Sequence, residues 1–179
     1  RLTESLQDGP VVAAINADVK SLAECKAATR IQIGANRTDG LGTGGDAEIG
    51  RLSAEEQLPA IQRFFADADL AIVVACLGGG AGSGAAPLVV SAARDSGATT
   101  LCLAVLPFKF EGNDQREQAD HALSRIQGSP HVLIAISNDR LSDYVGDNTV
   151  AATFDKVNEV LASGLRGLCQ LATQPGYIA

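Results

Sequence analysis

Five glycines and a serine crowd into seven positions, Gly78 to Gly84, in the order GGGAGSG. Backbone without Cβ atoms can take positive φ and come within contact distance of a ligand. The stretch follows an apolar run and precedes a helix-like one. It therefore places unpaired N–H groups and the positive end of a helix dipole at a strand-to-helix turn, which suits an anion and above all phosphate. A second cluster, GLGTGGDAEIG over residues 40–50, lies in a long loop, and long loops in compact domains are usually functional. Hydrogen-bonding residues recur at comparable places. Asn16 and Asp18 follow one apolar run, Glu111 lies inside FKFEGN, and Asn138 with Asp139 follows another apolar run. The alternative for the glycines is a tight surface turn that binds nothing.

Other chemistries fit less well. A P-loop needs GK[ST] after its glycines, and here Ala85-Ala86-Pro87 follows. A dinucleotide site needs G-x-G-x-x-G/A and an acid about 20 residues on. Gly80, Gly82 and Ala85 meet the first half weakly, and the next apolar run ends in Leu106-Pro107 without an acid. The four cysteines, Cys25, Cys76, Cys102 and Cys169, are far apart with no CxxC, and Cys76 and Cys102 lie inside apolar runs. They read as reduced core thiols of a cytoplasmic protein, and no metal site is expected. His121 and His131 read as structural.

The elements that must position these residues alternate. Short apolar runs predict strands at Val11 to Ile15, Ile31 to Ile33, Leu70 to Leu77, Thr99 to Leu106 and His131 to Ser137. Helices are expected at Arg1 to Gln7, Val19 to Ala28 behind an Asp18 cap, Ser53 to Phe65 opened by a SAEE capping box, Ala85 to Ser96, and Asp114 to Gln127. A long helix over about 148–173 carries Val150, Phe154, Val157, Val160, Leu161, Leu165 and Leu168 at helical spacing. The pattern predicts an α/β, Rossmann-like, largely parallel sheet with helices on both faces. Ligands of such sheets bind at the carboxyl ends of the strands, and every suggestive stretch falls there.

A chain of 179 residues suits one domain with a sizeable core. The net charge of −7 argues against nucleic acid. Apolar runs of about eight residues are too short to span a bilayer, so direct membrane insertion is not expected. No methionine occurs and the first residue is Arg1, which leads us to expect a fragment, a processed product or part of a longer protein.

GGGAGSGAAP resembles the signature of the tubulin/FtsZ family, and the FtsZ branch more than the tubulin branch. Further stretches carry the likeness in order and with matching spacing over essentially the whole chain. Asn16-Ala17-Asp18 is similar to Asn-Thr-Asp, GLGTGGDAEIG to GLGAGGNPEIG, PFKFEG (Pro107 to Gly112) to PFxFEG, Ser137-Asn138-Asp139 to Pro-Asn-Asp, and Phe154 to Leu161 to FxxxNDVL. The resemblance implies the GTP-binding domain of a bacterial cell-division GTPase, occupying residues 1–179, that assembles head-to-tail into filaments. Its nucleotide is GTP or GDP, with Mg²⁺ held through the phosphates. It implies that Gly78, Gly79, Gly80, Ala81, Gly82 and Ser83 bind phosphate oxygens, and that Gly44 and Gly45 approach the γ-phosphate. Asn16 and Asp18 belong to the same site, and Glu111 accepts from the ribose. Asn138 and Asn158 read the guanine edge, and Phe154 stacks on the base. Taken singly, Asn138 is as readily a turn residue and Phe154 as readily core.

The chain departs from the family pattern at Ala81, where a Thr is usual, at Gln115, where an Arg is usual, and at Glu159, where an Asp is usual. The family's first strand and its glycine loop precede the position of Arg1, so that strand is expected to be missing from the middle of the sheet. Pro175-Gly176-Tyr177-Ile178-Ala179 resembles PGLIN, with Ala179 in place of Asn. The acidic catalytic loop and a second domain lie beyond it in the family, so no catalytic residue is expected here and the fragment alone should be inactive. The expected partners are further copies of the chain and other cell-division proteins at a cytoplasmic division site. Ala81 and Gln115 motivate the alternative, a non-hydrolysing structural or regulatory paralogue.

Overall fold

The computed structural model describes residues 10–142 and 149–173. The helix expected at Arg1 to Gln7 and the segment Pro175 to Ala179 lie outside them. In chain order the elements are β1 (Ala13–Asn16), α1 (Val19–Glu24), β2 (Thr29–Gln32), α2 (Ala35–Thr38), α3 (Ala47–Glu56), α4 (Leu58–Phe65) and β3 (Leu70–Cys76). There follow α5 (Gly80–Asp95), β4 (Thr99–Leu106), a 3-10 turn (Lys109–Glu111), α6 (Asn113–Ile126), β5 (Val132–Ser137), α7 (Asn138–Ser142) and α8 (Val150–Thr173).

All strand pairs are parallel, as the alternation requires. They form two sheets, β1–β2 and β3–β4–β5. Ile15 stands opposite Ile31, Val73 opposite Cys102, and Leu103 opposite Ile134. Among the described residues no strand pairs with both β1 and β3, and the sheet is split where a first strand is expected to be missing. One apolar core nevertheless spans the split, joining Ile31 and Ile33 to Ala71, Val73, Ile61, Val90 and Ile126.

The three-stranded sheet is covered on both faces. Cys102 and Ala104 of β4 face α5 and α6, while Leu103 and Val105 face Val157, Leu161 and Leu165 of α8. β3 is less well covered. Ala71, Val73 and Ala75 are buried, but Val74 and Cys76 are exposed. Cys102 is a core thiol as expected, and burial pushes its pKa up to about 11. Cys76 is exposed instead, at the end of a strand whose other edge pairs with no described strand. His131 is structural. Its N–H donates to Thr100 O and its Nδ1 accepts from Thr100 N–H, both close to the start of β4–β5 pairing.

Besides α1, which ends at Glu24 rather than Ala28, three further helix boundaries differ from the sequence reading. SAEE opens no helix, since Ser53 is buried inside α3 and Asp46 is the cap, accepting from the N–H groups of Glu48 and Ile49. The helix then breaks at Gln57, and α4 starts with Pro59 in its first turn. The third difference is α5, which begins at Gly80 rather than Ala85, so the glycines themselves wind its first turn. No helix of the described residues is long and apolar enough to cross a membrane.

Candidate functional site

Asn16 ends β1, and its Oδ1 accepts from the Asp18 N–H at 3.2 Å. Asp18 then caps α1, accepting from the Ser21 N–H at 2.9 Å. The same corner anchors the second glycine cluster. The Val19 N–H donates to Gly40 O, and Asp18 bridges Leu41. From there the chain passes through Gly42 and buried Thr43 to Gly44 and Gly45, whose positive φ carries it to the Asp46 cap.

This loop and the α5 turn meet backbone to backbone. A Cβ on Gly80 would overlap Thr43 Oγ1 and lie 2.5 Å from Asp46 O. A Cβ on Gly84 would overlap Ala47 O, one on Gly50 would overlap Gly80 O, and one on Gly82 would overlap Cys76 O. Gly50, Gly80 and Gly84 let α3 and the loop before it lie against α5 in close contact, and Gly82 lets the first turn of α5 sit against the end of β3. By contrast, Gly79, Gly44 and Gly45 have nothing within 4 Å of an added Cβ. The glycines of GGGAGSG thus divide between packing and an open face.

The hydrogen bonds divide the turn further. The Gly78 N–H donates to Ser83 Oγ at 2.8 Å, in a buried contact that closes the loop. The Ser83 N–H makes the first bond of α5, to Gly79 O at 2.9 Å. Two of the N–H groups assigned to phosphate are therefore already used. The N–H groups of Gly79, Gly80, Ala81 and Gly82 remain, since they belong to a helix start with no side-chain cap. They stand at the positive end of a sixteen-residue helix.

The other expected residues gather at the carboxyl ends of β4 and β5. Glu111 Oε1 accepts from the Phe108 N–H at 2.8 Å, closing the 3-10 turn. Asp139 Oδ1 accepts from the Lys109 N–H at 3.1 Å, which ties this turn to the start of α7. Buried Phe108 stacks on Phe110 (centroids 4.8 Å apart) and meets Phe154 edge-on at 5.0 Å. Phe154 keeps an exposed side on α8, and Asn158 is half-buried one turn further along. Asn138 is buried, and its Oδ1 has no hydrogen-bond partner among the described residues. Pro107 connects the two groups, since a Cβ on Gly78 would come within 3.1 Å of its ring.

Sequence reasoning missed Thr43, Asp46 and Phe108. Asp46 had a signal, an acid directly before a helix-forming run. Thr43 and Phe108 had none, because burial against a distant loop leaves no local pattern.

The Tubulin/FtsZ family, GTPase domain, matches residues 3–146. The chain is 38% identical over 176 residues to cell division protein FtsZ 1 of Halobacterium salinarum, covering 98% of this chain and 44% of that one. It is 35% identical over 179 residues to cell division protein FtsZ of Aquifex aeolicus, covering 99% of this chain and 49% of that one. An empty FtsZ dimer from M. jannaschii superposes with a TM-score of 0.89 at 35% identity, covering 93% of this chain and 49% of that one. The chain spans about half the length of the curated relatives it matches.

Proposed function

Since the chain belongs to the tubulin/FtsZ family and matches its GTPase domain, we propose that it binds GTP and GDP across the carboxyl ends of β3, β4 and β5. One observation carries this reading: the uncapped N–H groups of Gly79 to Gly82 stand beside the open loop at Gly44 and Gly45. They would receive the phosphate oxygens, with α5 supplying positive potential without a basic side chain. Ser83 serves by holding Gly78 in place, and its hydroxyl hydrogen is left to donate. Glu111 has a second carboxylate oxygen for the ribose. The orphaned Asn138 Oδ1 is an acceptor that a base N–H would satisfy, and an unsatisfied buried group costs about 1–3 kcal/mol. The exposed side of Phe154 offers a surface for the base, with Asn158 beyond it.

Among the described residues no three His, Cys, Asp or Glu side chains gather to hold a metal. Mg²⁺ would therefore arrive on the phosphates and supply charge neutralisation there. The chain's own contribution is to bind, orient and shield the triphosphate. In the whole protein, head-to-tail contact would bring a neighbour's carboxylates to the γ-phosphate, a heterologous arrangement that produces filaments. The relatives come from an archaeon and a bacterium, so they do not narrow the source to bacteria. We also propose that residues outside this sequence fill the split between β1 and β3 and form a second domain. A division-site location and other cell-division partners belong to the same reading.

The test is a titration of GTP and GDP, with ATP and NAD as controls, on this chain and on one extended at its N-terminus by a strand. Selective guanine binding by the extended chain supports the site, and a loss in the short chain measures the added strand. Absence of binding by both overturns it. The second reading, a non-hydrolysing paralogue, is favoured by Ala81, which brings no hydroxyl to the first turn of α5, and by half-buried Gln115. Guanine binding without turnover by the assembled full-length protein would select it.

A further inference from the structure

A cavity of about 610 Å³ opens on the face of the three-stranded sheet away from α8, between α6 and the β5–α7 junction. Its floor is apolar, formed by Leu106, Ala119 and Ala135. Its rim carries Lys109 from the 3-10 turn, Arg116 from the first turns of α6, and Arg140 from α7. Three cations from three elements converge here in a chain whose net charge is −7. Arg37 pairs with Glu56, and Arg51 with Glu48 and Glu55, away from this cavity. Two carboxylates, Asp120 and Asp139, also line the rim. The Lys109 N–H donates to Asp139 Oδ1, which fixes the turn against α7 and holds the rim in shape.

The volume lies within the range of small-molecule sites, about 300–1,000 Å³. None of the residues proposed for the nucleotide lines this cavity. It adjoins the nucleotide site, sharing the turn that holds both Lys109 and Glu111, the Pro107 ring that packs on Gly78, and the Ser137-Asn138-Asp139 corner, but it opens on different side chains. We propose that it binds a small organic anion, with an apolar body on Leu106, Ala119 and Ala135 and a phosphate or carboxylate between Arg116, Arg140 and Lys109. Guanidinium groups suit such oxyanions because their forked donors match the acceptor geometry. Asp120 on the rim favours a ligand that also carries a hydroxyl or N–H donor.

The test is an NMR titration of the isotope-labelled chain with phenyl phosphate, inorganic phosphate and phenol. The expected result is that phenyl phosphate shifts the signals of Lys109, Arg116, Ala119, Ala135 and Arg140, and binds about tenfold more tightly than either partial probe, since it alone has both body and anion. Arg116→Glu with Arg140→Glu, both exposed positions, abolishes those shifts while leaving GDP affinity unchanged. Ala135→Leu, at an exposed floor position, weakens phenyl phosphate but not inorganic phosphate. Shifts scattered over the surface, equal affinity for phosphate and phenyl phosphate, no shift at all, or retention of binding in the charge-reversed variant would each overturn the proposal.

Discussion

Gly79, Gly80 and Gly84 look alike in the sequence and behave differently in the fold. Gly80→Ala and Gly84→Ala drive a methyl into Asp46 O or Ala47 O, and each should lower the unfolding free energy by about 1–3 kcal/mol in a urea titration. Gly79→Ala has room and should stay within about 0.5 kcal/mol of the parent, yet weaken GTP binding, because its methyl projects where the open face receives phosphate. A Gly79 variant that binds normally while a Gly80 variant unfolds would leave the loop as packing alone. The thiols make a second residue-scale pair. Cys102 is fully buried with its pKa pushed up to about 11, so it should resist iodoacetamide in the native chain at pH 8 and react only on unfolding. Mass spectrometry of the alkylated chain checks this.

At the scale of elements, the Asp46 cap sets both the start of α3 and the end of the loop that carries Gly44 and Gly45. Asp46→Ala should cost about 1 kcal/mol of stability, and Asp46→Asn much less, because the amide oxygen still accepts from Glu48 and Ile49. Thermal unfolding of the two variants distinguishes a cap from a mere surface charge. The strands were legible in the sequence because each apolar run ends at a turn residue, as at Leu106-Pro107 and Ser137-Asn138. The helix starts were less so. SAEE satisfies the capping box as a string, but Ser53 is held inside α3 by packing near Gly34, and no local pattern reports that contact. Likewise the glycines of α5 read as loop, because helix propensity alone disfavours them. Tertiary contact with α3 decides the matter. The site was legible as a set of strand ends, whereas its division into packing and open glycines was not.

For the whole molecule, the edges of β1 and β3 that pair with no described strand matter most. Val74 and Cys76 are exposed on a strand that otherwise belongs to the core. Extending the chain by a strand that seats between these edges should raise the melting temperature and slow amide exchange along β3. An extension that leaves both unchanged would show that the split is not a strand position.

The crossing of α3 and α5 has a genetic consequence. Most core defects can be relieved by trimming a neighbouring side chain. At Gly50 and Gly84 the obstructing atoms are carbonyl oxygens and main-chain nitrogen, which no codon can make smaller. A suppressor screen on Gly84→Ala should therefore return true revertants and globally stabilising changes elsewhere, but no compensating substitution at Ala47, Gly50 or Arg51. Gly34, which faces the Ser53 side chain, provides the contrast of an obstruction that a codon can change.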